Sequence, residues 1–511
     1  MKTTKTVLLE LLIILNLINV LYSQNSSDIR RTYHWYFGNG AGLDFSSGTA
    51  VAKTNSPMTA EEGCASISDT CGNLLFFTDG DTVWDRNNNV MTNGTGLMGC
   101  WSSTQNSLII PQPGNDSLYY IFLTDCGEHL GANGLRYSVV NMNLNAGLGE
   151  VIEKNTLLFA PAMEKLAATY HANNTDIWII GVDICHIAPC SNFIYSYYAY
   201  LLTEIGINQT PVVSPSNMHF PKLAPGYLRF SHSGNKVANM WLVSNCTVCD
   251  SLELFDFDIA SGIISNNIVL IPSDSSAGYG VVFSPDDSKL YCSVFDSFLS
   301  DYPNWNSKIY QYDLSVNDSV VIASSKTLIH YADSTNPDLP EYMGMQLGSD
   351  GRIYIANWNN RGINAYPDTI AIIMKPDSPG LECGFVEKSI YIGGGSQAGL
   401  PNFVDSYFNG PWLPLCTTNI EISENTENIN CEVNLYPNPF SDYTNIDLSN
   451  LRKTLSGTIY IKLYDLFGNI VLQTETNNSY YRIYKEDLNE GIYFLKIQSG
   501  NFIYTNKLII N

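Results

Sequence analysis

The chain has 511 residues, with 49 Asp and Glu against 26 Lys and Arg, a formal charge of −23 at pH 7. Only 15% of residues are charged, while 45% are hydrophobic and 12% aromatic, so there is ample apolar material for folded cores and a disordered chain is excluded. The acid excess speaks against nucleic acid as a partner, because a phosphate backbone is held by clustered Lys and Arg, and against docking on an anionic membrane face.

At the N-terminus, Lys2 and Lys5 precede an apolar run from Val7 to Leu21 that is interrupted by Glu10, Asn16 and Asn19 and followed by the small residue Ser23. This is the layout of a secretory signal peptide over residues 1–23, cleaved after Ser23. The run is too short and too broken for a comfortable membrane span, and no other segment reaches the ~20 apolar residues of a transmembrane helix. No Cys stands at the cleavage position, so no lipid anchor is expected there.

All twelve Cys lie beyond residue 23. In an exported protein an even number favours disulfides. Proximity in sequence suggests Cys64 with Cys71, Cys100 with Cys126, Cys185 with Cys190, Cys246 with Cys249 and Cys416 with Cys431, leaving Cys292 for Cys383. Spacing alone does not determine connectivity. Cys246-Thr-Val-Cys249 has no second Cys-x-x-Cys to complete a zinc site and no βαβ context, so it reads as a structural staple.

Residues 24–415 repeat. Six segments share an apolar strand, a polar turn and a second apolar strand, beginning at Gly63, Ser107, Lys165, Tyr227, Tyr279 and Met343. The first residues after the turns, Leu74, Leu118, Ile177, Val237, Leu290 and Ile353, recur every 44 to 63 positions. Turn residues such as Gly72-Asn73, Gly234-Asn235 and Asp350-Gly351 supply the positive φ of tight hairpins. Third strands follow from Leu135, Phe193, Leu252 and Lys308. A strand-only repeat of this length is the signature of a propeller blade, a small sheet that covers its faces by packing radially against its neighbours. A simple array of β-sandwiches would not explain the recurring hairpin. Leu400–Val404 stands where a seventh innermost strand is needed, and Tyr33–Phe37 with Thr49–Ala52 lacks one. Joining them predicts seven blades closed by an N-to-C clasp.

Asp79-Gly-Asp81-Thr-Val-Trp-Asp85-Arg-Asn87 gathers hard oxygen ligands, so Asp79, Asp81 and Asp85 are a candidate calcium site; no other cofactor is expected. Among the aromatics, Trp84, Trp101, Trp305 and Trp358 lie beside turns, where exposed rings make binding surfaces for sugars or proteins. No catalytic residue stands out. There is no His-Glu-x-x-His, the seven His are scattered over different repeats, and Gly394-Gly395-Ser396-Gln397-Ala398 only approaches the nucleophile-elbow pattern.

Cys416 to Cys431 is rich in Thr, Asn, Glu and Ser and reads as a linker, residues 416–431. Residues 432–511 then show short strand-like runs from Thr444, Gly457, Ser479 and Gly491, fitting a small immunoglobulin-like β-sandwich. The fold expected for the whole is therefore all-β: a seven-bladed β-propeller followed by that sandwich.

Two resemblances add to this. Phe283-Ser-Pro-Asp-Asp-Ser-Lys-Leu-Tyr291 and Leu347-Gly-Ser-Asp-Gly-Arg-Ile-Tyr-Ile-Ala356 resemble WD-repeat-like and lactonase-like propeller repeats, which implies a fold and little about function. The stretch from His34 to Phe408 also resembles propeller ectodomains of secreted Bacteroidota proteins. Pro437-Asn438-Pro439-Phe440, Gly491-Ile492-Tyr493 and Lys507-Leu508-Ile509-Ile510 resemble, in order and spacing, the C-terminal sorting domain of the type IX secretion system. Pro437, Asn438, Pro439, Gly491, Tyr493 and Lys507 are then the sorting-motif residues. The resemblance implies a Bacteroidota host, Sec export, recognition by the outer-membrane translocon and removal by a sortase-like peptidase. The product is then either released or attached to surface lipopolysaccharide. The expected function is an extracellular binding or adhesion module for an unidentified glycan or protein, the alternative being a propeller hydrolase or lyase. Residues 24–431 hold 40 acids and 17 bases, so they carry all but a single unit of the mature chain's negative charge.

Overall fold

The structure is a computed structural model, and it describes residues 28–183, 194–219, 225–242, 252–271, 276–296, 306–333, 340–358, 367–409, 433–449, 458–465, 470–485, 488–499 and 502–510. The predicted signal peptide and linker, and Cys185, Cys190, Cys246, Cys249, Cys416, Cys431 and Trp305, lie outside the described residues. The chain divides into two compact units, Met1–Thr417 and Thr418–Asn511.

The first unit is a seven-bladed propeller made of seven antiparallel sheets in sequence order. The innermost strands are His34–Phe37, Ala65–Ser68, Ser107–Pro111, Ala162–Tyr170, Leu228–Phe230, Ser276–Phe283 and Glu341–Leu347. Each packs beside the next. The six repeated hairpins read from the sequence are the two inner strands of blades 2 to 7, paired antiparallel in every case. Blades 3 to 7 have outer strands that complete the sheet, and blades 1 and 2 have three strands. Side chains between sheets supply the core, including Trp35, Phe37, Phe76, Phe122, Trp241, Tyr291 and Tyr354. Stacks such as Tyr36 on Phe77, centroids 4.1 Å apart, join one blade to the next.

The ring closes differently from the sequence expectation. Blade 1 is built locally from His34–Phe37, Ala41–Asp44 and Val51–Ala52, so Leu400–Val404 is not needed as its inner strand and is not a strand. The termini still meet: Asn39 and Gly395 exchange backbone hydrogen bonds of 2.8 and 2.9 Å, Gly42 N donates to Ile392 O at 3.0 Å, and the Trp35 and Phe403 rings lie 6.0 Å apart. Residues 396–408 then run across the centre of the ring, every one of them buried. Ala398 pairs with Gly344 of blade 7 and with Glu61, and Asn402 N donates to Cys64 O. Asn402 Nδ2 donates to Leu166 O of blade 4, while Arg229 of blade 5 donates to Asn402 Oδ1 at 2.7 Å. The protein's own chain fills the axis of the propeller.

The second unit is a sandwich of seven described strands in two sheets, one of three strands and one of four. Its core holds Phe440, Ile446, Ile461, Leu463, Leu495 and Leu508. Among the described residues no helix is long and apolar enough to cross a membrane.

The disulfide pattern is corrected in two places. Cys100 and Cys126 are bonded, with Cα atoms 5.4 Å apart. Cys64 is a free, buried thiol at the start of an innermost strand, whereas Cys71 is exposed in the turn beyond that strand's far end. An extended strand rises about 3.3 Å per residue, so the two are held far beyond bridging distance. Cys292 and Cys383 are also free and buried. The Cys383 sulfur lies against Tyr291, and successive side chains of a strand face opposite sides, which turns Cys292 away from it.

Gly399 gives the axial segment its fit. A Cβ there would lie 1.7 Å from the Glu62 carbonyl oxygen, a backbone atom with no room to retreat. Gly399→Val is expected to destabilise the propeller by about 3 kcal/mol, read as a lower urea midpoint, while Asn409→Ala, at an exposed neighbouring position, leaves it within about 0.5 kcal/mol. Equal midpoints for Gly399→Val and wild type would refute the tight axial packing.

Candidate functional site

The site lies where the innermost strands begin. Three of these strands carry irregularities in pairing at one level: between Ala162 and Leu166, between Gly278 and Val281, and between Tyr342 and Met345. A bulge re-aims the side chains it contains. Glu164 faces the segment entering blade 3 and Tyr279 the one entering blade 2, while Lys165 faces blade 5. Gly63 allows those two segments to touch, since a Cβ there would sit 2.2 Å from Asn106 N.

Glu164 is fully bonded. Its Oε2 accepts from Thr104 N at 3.1 Å and Thr104 Oγ1 at 2.9 Å, and its Oε1 accepts from Gly127 N at 2.6 Å. Burial raises its carboxyl above the ordinary range despite these bonds. Lys165 Nζ donates to the carbonyls of Gly226 at 2.8 Å and Met240 at 2.6 Å and stands 4.0 Å over the Trp241 ring. Burial holds its ammonium pKa far below that of a free lysine. Gln105 clamps blades 4 and 5 by accepting from Leu166 N and Leu228 N.

Glu62 and Tyr279 differ. Glu62 is partly exposed, but its Oε2 is enclosed and faces the Tyr279 hydroxyl, 1% exposed as a residue, with a hydrogen bond between the two side chains. The two groups are neighbours. Burial first, and then Glu164, pushes the Glu62 carboxyl well above the usual range, and burial with Glu62 does the same to the Tyr279 phenol. Tyr227, whose hydroxyl accepts from Leu400 N at 3.2 Å, lies beside Tyr279 with ring centroids 5.7 Å apart.

Glu61, raised by burial and by Glu128, continues this acidic set outward. Glu128 sits on the loop tied by the Cys100–Cys126 bond and accepts from Ser102 Oγ at 2.8 Å. Trp101, next to the bonded Cys100, is 61% exposed.

Further along the axis, Arg229 reaches Asn402, Met345 O and, at 3.5 Å, Asp405. Asp405 also accepts from Phe230 N at 2.8 Å. Burial pushes its carboxyl up to about 6, against the pull of Arg229.

The sequence candidates are not brought together. Trp84 is buried and stacks on Phe77, with centroids 5.6 Å apart; Trp358 is half-buried in blade 7; Trp101 alone is on the rim just described. Asp79 accepts from the amides of Asp81 and Thr82, and Asp85 from those of Asn87 and Asn89, so both carboxylates cap their own turns; Asp81 accepts from Thr82 Oγ1. Ser396 of the elbow-like stretch is buried in the axial segment and accepts from Asn357 N. Among the described residues, the group that could gather on one metal ion is Cys100, Asp125, Cys126 and His129, but both sulfurs are in the disulfide. Sequence reasoning missed Glu62, Glu164 and Tyr279. The available signal was the glycines beside them, Gly63, Gly278 and Gly280, each marking a close approach.

In the second unit the sorting-motif residues converge. The Asn438 side chain donates to Lys507 O at 2.7 Å and accepts from Ile509 N at 2.9 Å, fastening the Pro437–Pro439 turn to the last strand. Phe440 N donates to Ile509 O. Gly491 pairs with Ile510 and Tyr493 with Leu508.

Residues 434–511 match the family model of the secretion system C-terminal sorting domain. The class is thus an exported β-propeller protein. More particularly, its tail is a type IX sorting domain, which directs the chain to the cell surface or the extracellular space through that secretion system. No curated protein matches the chain. Among solved structures, it is similar to a quinoprotein alcohol dehydrogenase-like protein of Bacteroides thetaiotaomicron (13% identity, 73% of this chain and 78% of that one, TM-score 0.38). It is also similar to an exo-beta-1,3-galactanase of Phanerochaete chrysosporium (9%, 82% and 97%, TM-score 0.33) and to hydrazine synthase of Kuenenia stuttgartiensis (13%, 62% and 76%, TM-score 0.34). Likeness that slight assigns no activity.

A carboxyl raised on folding favours the folded state below its unfolded pKa, near 3.9, and that contribution is lost as pH rises through the folded value. Between about pH 4 and 6, Asp405 should therefore cost wild type on the order of 2–3 kcal/mol of propeller stability. Asp405→Asn is expected to flatten that slope, measured by urea unfolding at several pH values. Parallel profiles for the two proteins would contradict the assignment.

Proposed function

We propose that the propeller is an extracellular binding module whose recognition surface is the ring end bearing Glu61, Glu62, Trp101 and Glu128. One observation carries this reading. The axis is filled by residues 396–408 and the interior Glu164, Lys165 and Arg229 are bonded internally, while an acidic and aromatic rim on a disulfide-braced loop stays accessible. A rigid rim with an exposed Trp suits recognition of a glycan or a protein partner. In this reading the sorting domain engages the translocon, and a sortase-like peptidase cuts between the two units.

A hydrolase is the second reading, and it is favoured by a carboxyl whose pKa burial raises, placed beside a phenol. Such a pair can donate a proton to a leaving group. The purified mature protein, screened on glycan and protein panels and on ester, lactone and polysaccharide substrates, separates the two. Binding without turnover supports the module. Turnover abolished by Glu62→Gln would replace it with the hydrolase.

Deleting residues 432–511 should leave the protein in the periplasm, and mass spectrometry of the mature extracellular form should find those residues gone. Unchanged surface delivery of the deletion would refute the sorting role.

A further inference from the structure

We propose that Cys100, Asp125, Cys126 and His129 form a zinc site when the Cys100–Cys126 bond is reduced. The loop beside Trp101 is then braced by the bond in one redox state and by the ion in the other. This goes beyond the binding reading above and does not depend on it.

The ligand atoms of these four residues are both sulfurs, a carboxylate oxygen and a ring nitrogen, and all lie within 4.8 Å of one another. The fold puts them there. Cys100 stands in the segment entering blade 3, where its N–H donates to Thr124 O at 3.3 Å. Cys126 follows the second strand of that blade, Leu118–Thr124. The chain then turns back on itself, with His129 N and Gly131 N donating to Cys126 O at 3.2 and 3.1 Å. That turn brings His129 Nδ1 to 3.7 Å from Cys126 Sγ and 2.8 Å from Asp125 Oδ1. Asp125 Oδ2 accepts from Asn133 N at 2.7 Å, which fixes the carboxylate with Oδ1 facing the ring.

These spacings suit a tetrahedral ion. Zinc holds sulfur at about 2.3 Å and nitrogen or oxygen at about 2.0 Å, so neighbouring ligands stand roughly 3.3 to 3.7 Å apart. The sulfur–nitrogen spacing already agrees, the nitrogen–oxygen one has to open by about half an ångström, and the sulfurs part once no bond joins them. The donors also select the ion, because thiolate and imidazole suit zinc whereas calcium takes oxygen ligands. Cys100, Asp125 and Cys126 are buried and His129 is exposed, so the imidazole side is the way in.

The chemistry needs a reductant, and a small thiol supplies it. Each protein sulfur gains one electron and one proton, and two small thiols leave joined as their own disulfide. Zinc then displaces both thiol protons to solvent and binds the thiolates, with no change in its own oxidation state. In the oxidised protein neither sulfur is a thiolate, and the site is closed.

The test uses the mature, full-length protein, reduced with excess 2-mercaptoethanol and desalted under argon. Zinc affinity is read by competition with a chromogenic chelator, and cobalt(II) reports the ligands by its visible bands and its sulfur charge-transfer band. Reduced wild type should bind one equivalent of zinc more tightly than His129→Ala, by about tenfold or more. That variant keeps every cysteine, so the difference separates this site from zinc held elsewhere. Its oxidised form should unfold at the wild-type urea midpoint. The cobalt spectrum should change in His129→Ala, and the oxidised wild type should lack the extra equivalent. Zinc should also restore near-ultraviolet circular dichroism that reduction takes away. Equal zinc affinity in reduced wild type and His129→Ala, equal binding by oxidised and reduced wild type, or identical cobalt spectra would overturn the proposal. So would a reduced protein that loses its folded signal and does not regain it with zinc, because the ion would then not replace the bond.

Discussion

The structure depends on what occupies its axis. Seven sheets arranged radially cannot bring their innermost strands together at the centre, and an empty polar bore would leave backbone groups unmet. Residues 396–408 solve this by running through the bore themselves. The segment takes hydrogen bonds from, or gives them to, Glu61, Cys64, Leu166, Arg229, Phe230 and Gly344, so it touches blades that are far apart in sequence. Arg229 is the anchor. A guanidinium this enclosed is tolerable only where acceptors surround it, and Asn402, Asp405 and Met345 O provide them. Closure and filling are one event: the clasp at Asn39 and Gly395 sets where the segment enters.

The same filling decides which interior acids are available. A bore packed with chain forces polar side chains at the strand beginnings either to bond one another or to turn outward. Glu164 takes the first course, holding Thr104 and the Gly127 amide, and through the latter the disulfide-tied loop. Lys165 and Glu253 do likewise. Glu253 accepts from Tyr195, Trp241 and Asn267. Glu62 precedes its strand and reaches the rim, where its outer part meets solvent while its inner oxygen faces the Tyr279 hydroxyl.

What was legible in the sequence follows from how far apart the interacting residues are. The six hairpins were legible because apolar alternation and turn residues such as Gly234-Asn235 act within a few positions. The sorting motifs were legible for a different reason, their order and spacing. Even so, the mutual bonds of Asn438 with Lys507 and Ile509 span about 70 residues and appear only in the fold. Cysteine pairing by proximity succeeded for Cys100 and Cys126, which flank a loop, and failed for Cys64 with Cys71, which flank a strand. The axial segment was read as a strand because Leu-Pro-Asn-Phe-Val has strand-like residues. Its partners are backbone groups and side chains up to 236 positions away, and no local pattern encodes them. Glu62 and Tyr279 were invisible for the same reason. The glycines around them carried a readable hint, since repeated Gly beside inner strands signals backbone approaching backbone.

The charge on the first unit gains meaning from this arrangement. Its acids number twice its bases, and two of its bases, Lys165 and Arg229, are withdrawn into internal bonds. Buried acids such as Glu164, Glu253 and Asp405 are withdrawn alongside them, so the exterior keeps the acidic balance of the composition. A diffuse field of that kind attracts cations of every sort, and at physiological ionic strength it is screened beyond about 8 Å. Discrimination has to come from a place where screening fails and geometry counts, where solvent is largely shut out and acceptors stand at fixed positions. The rim at Glu61 and Glu128 collects positive charge. The disulfide-braced loop with Trp101 adds an apolar edge. Charge alone would make the surface sticky; a braced loop with a fixed ring is what can make the surface selective.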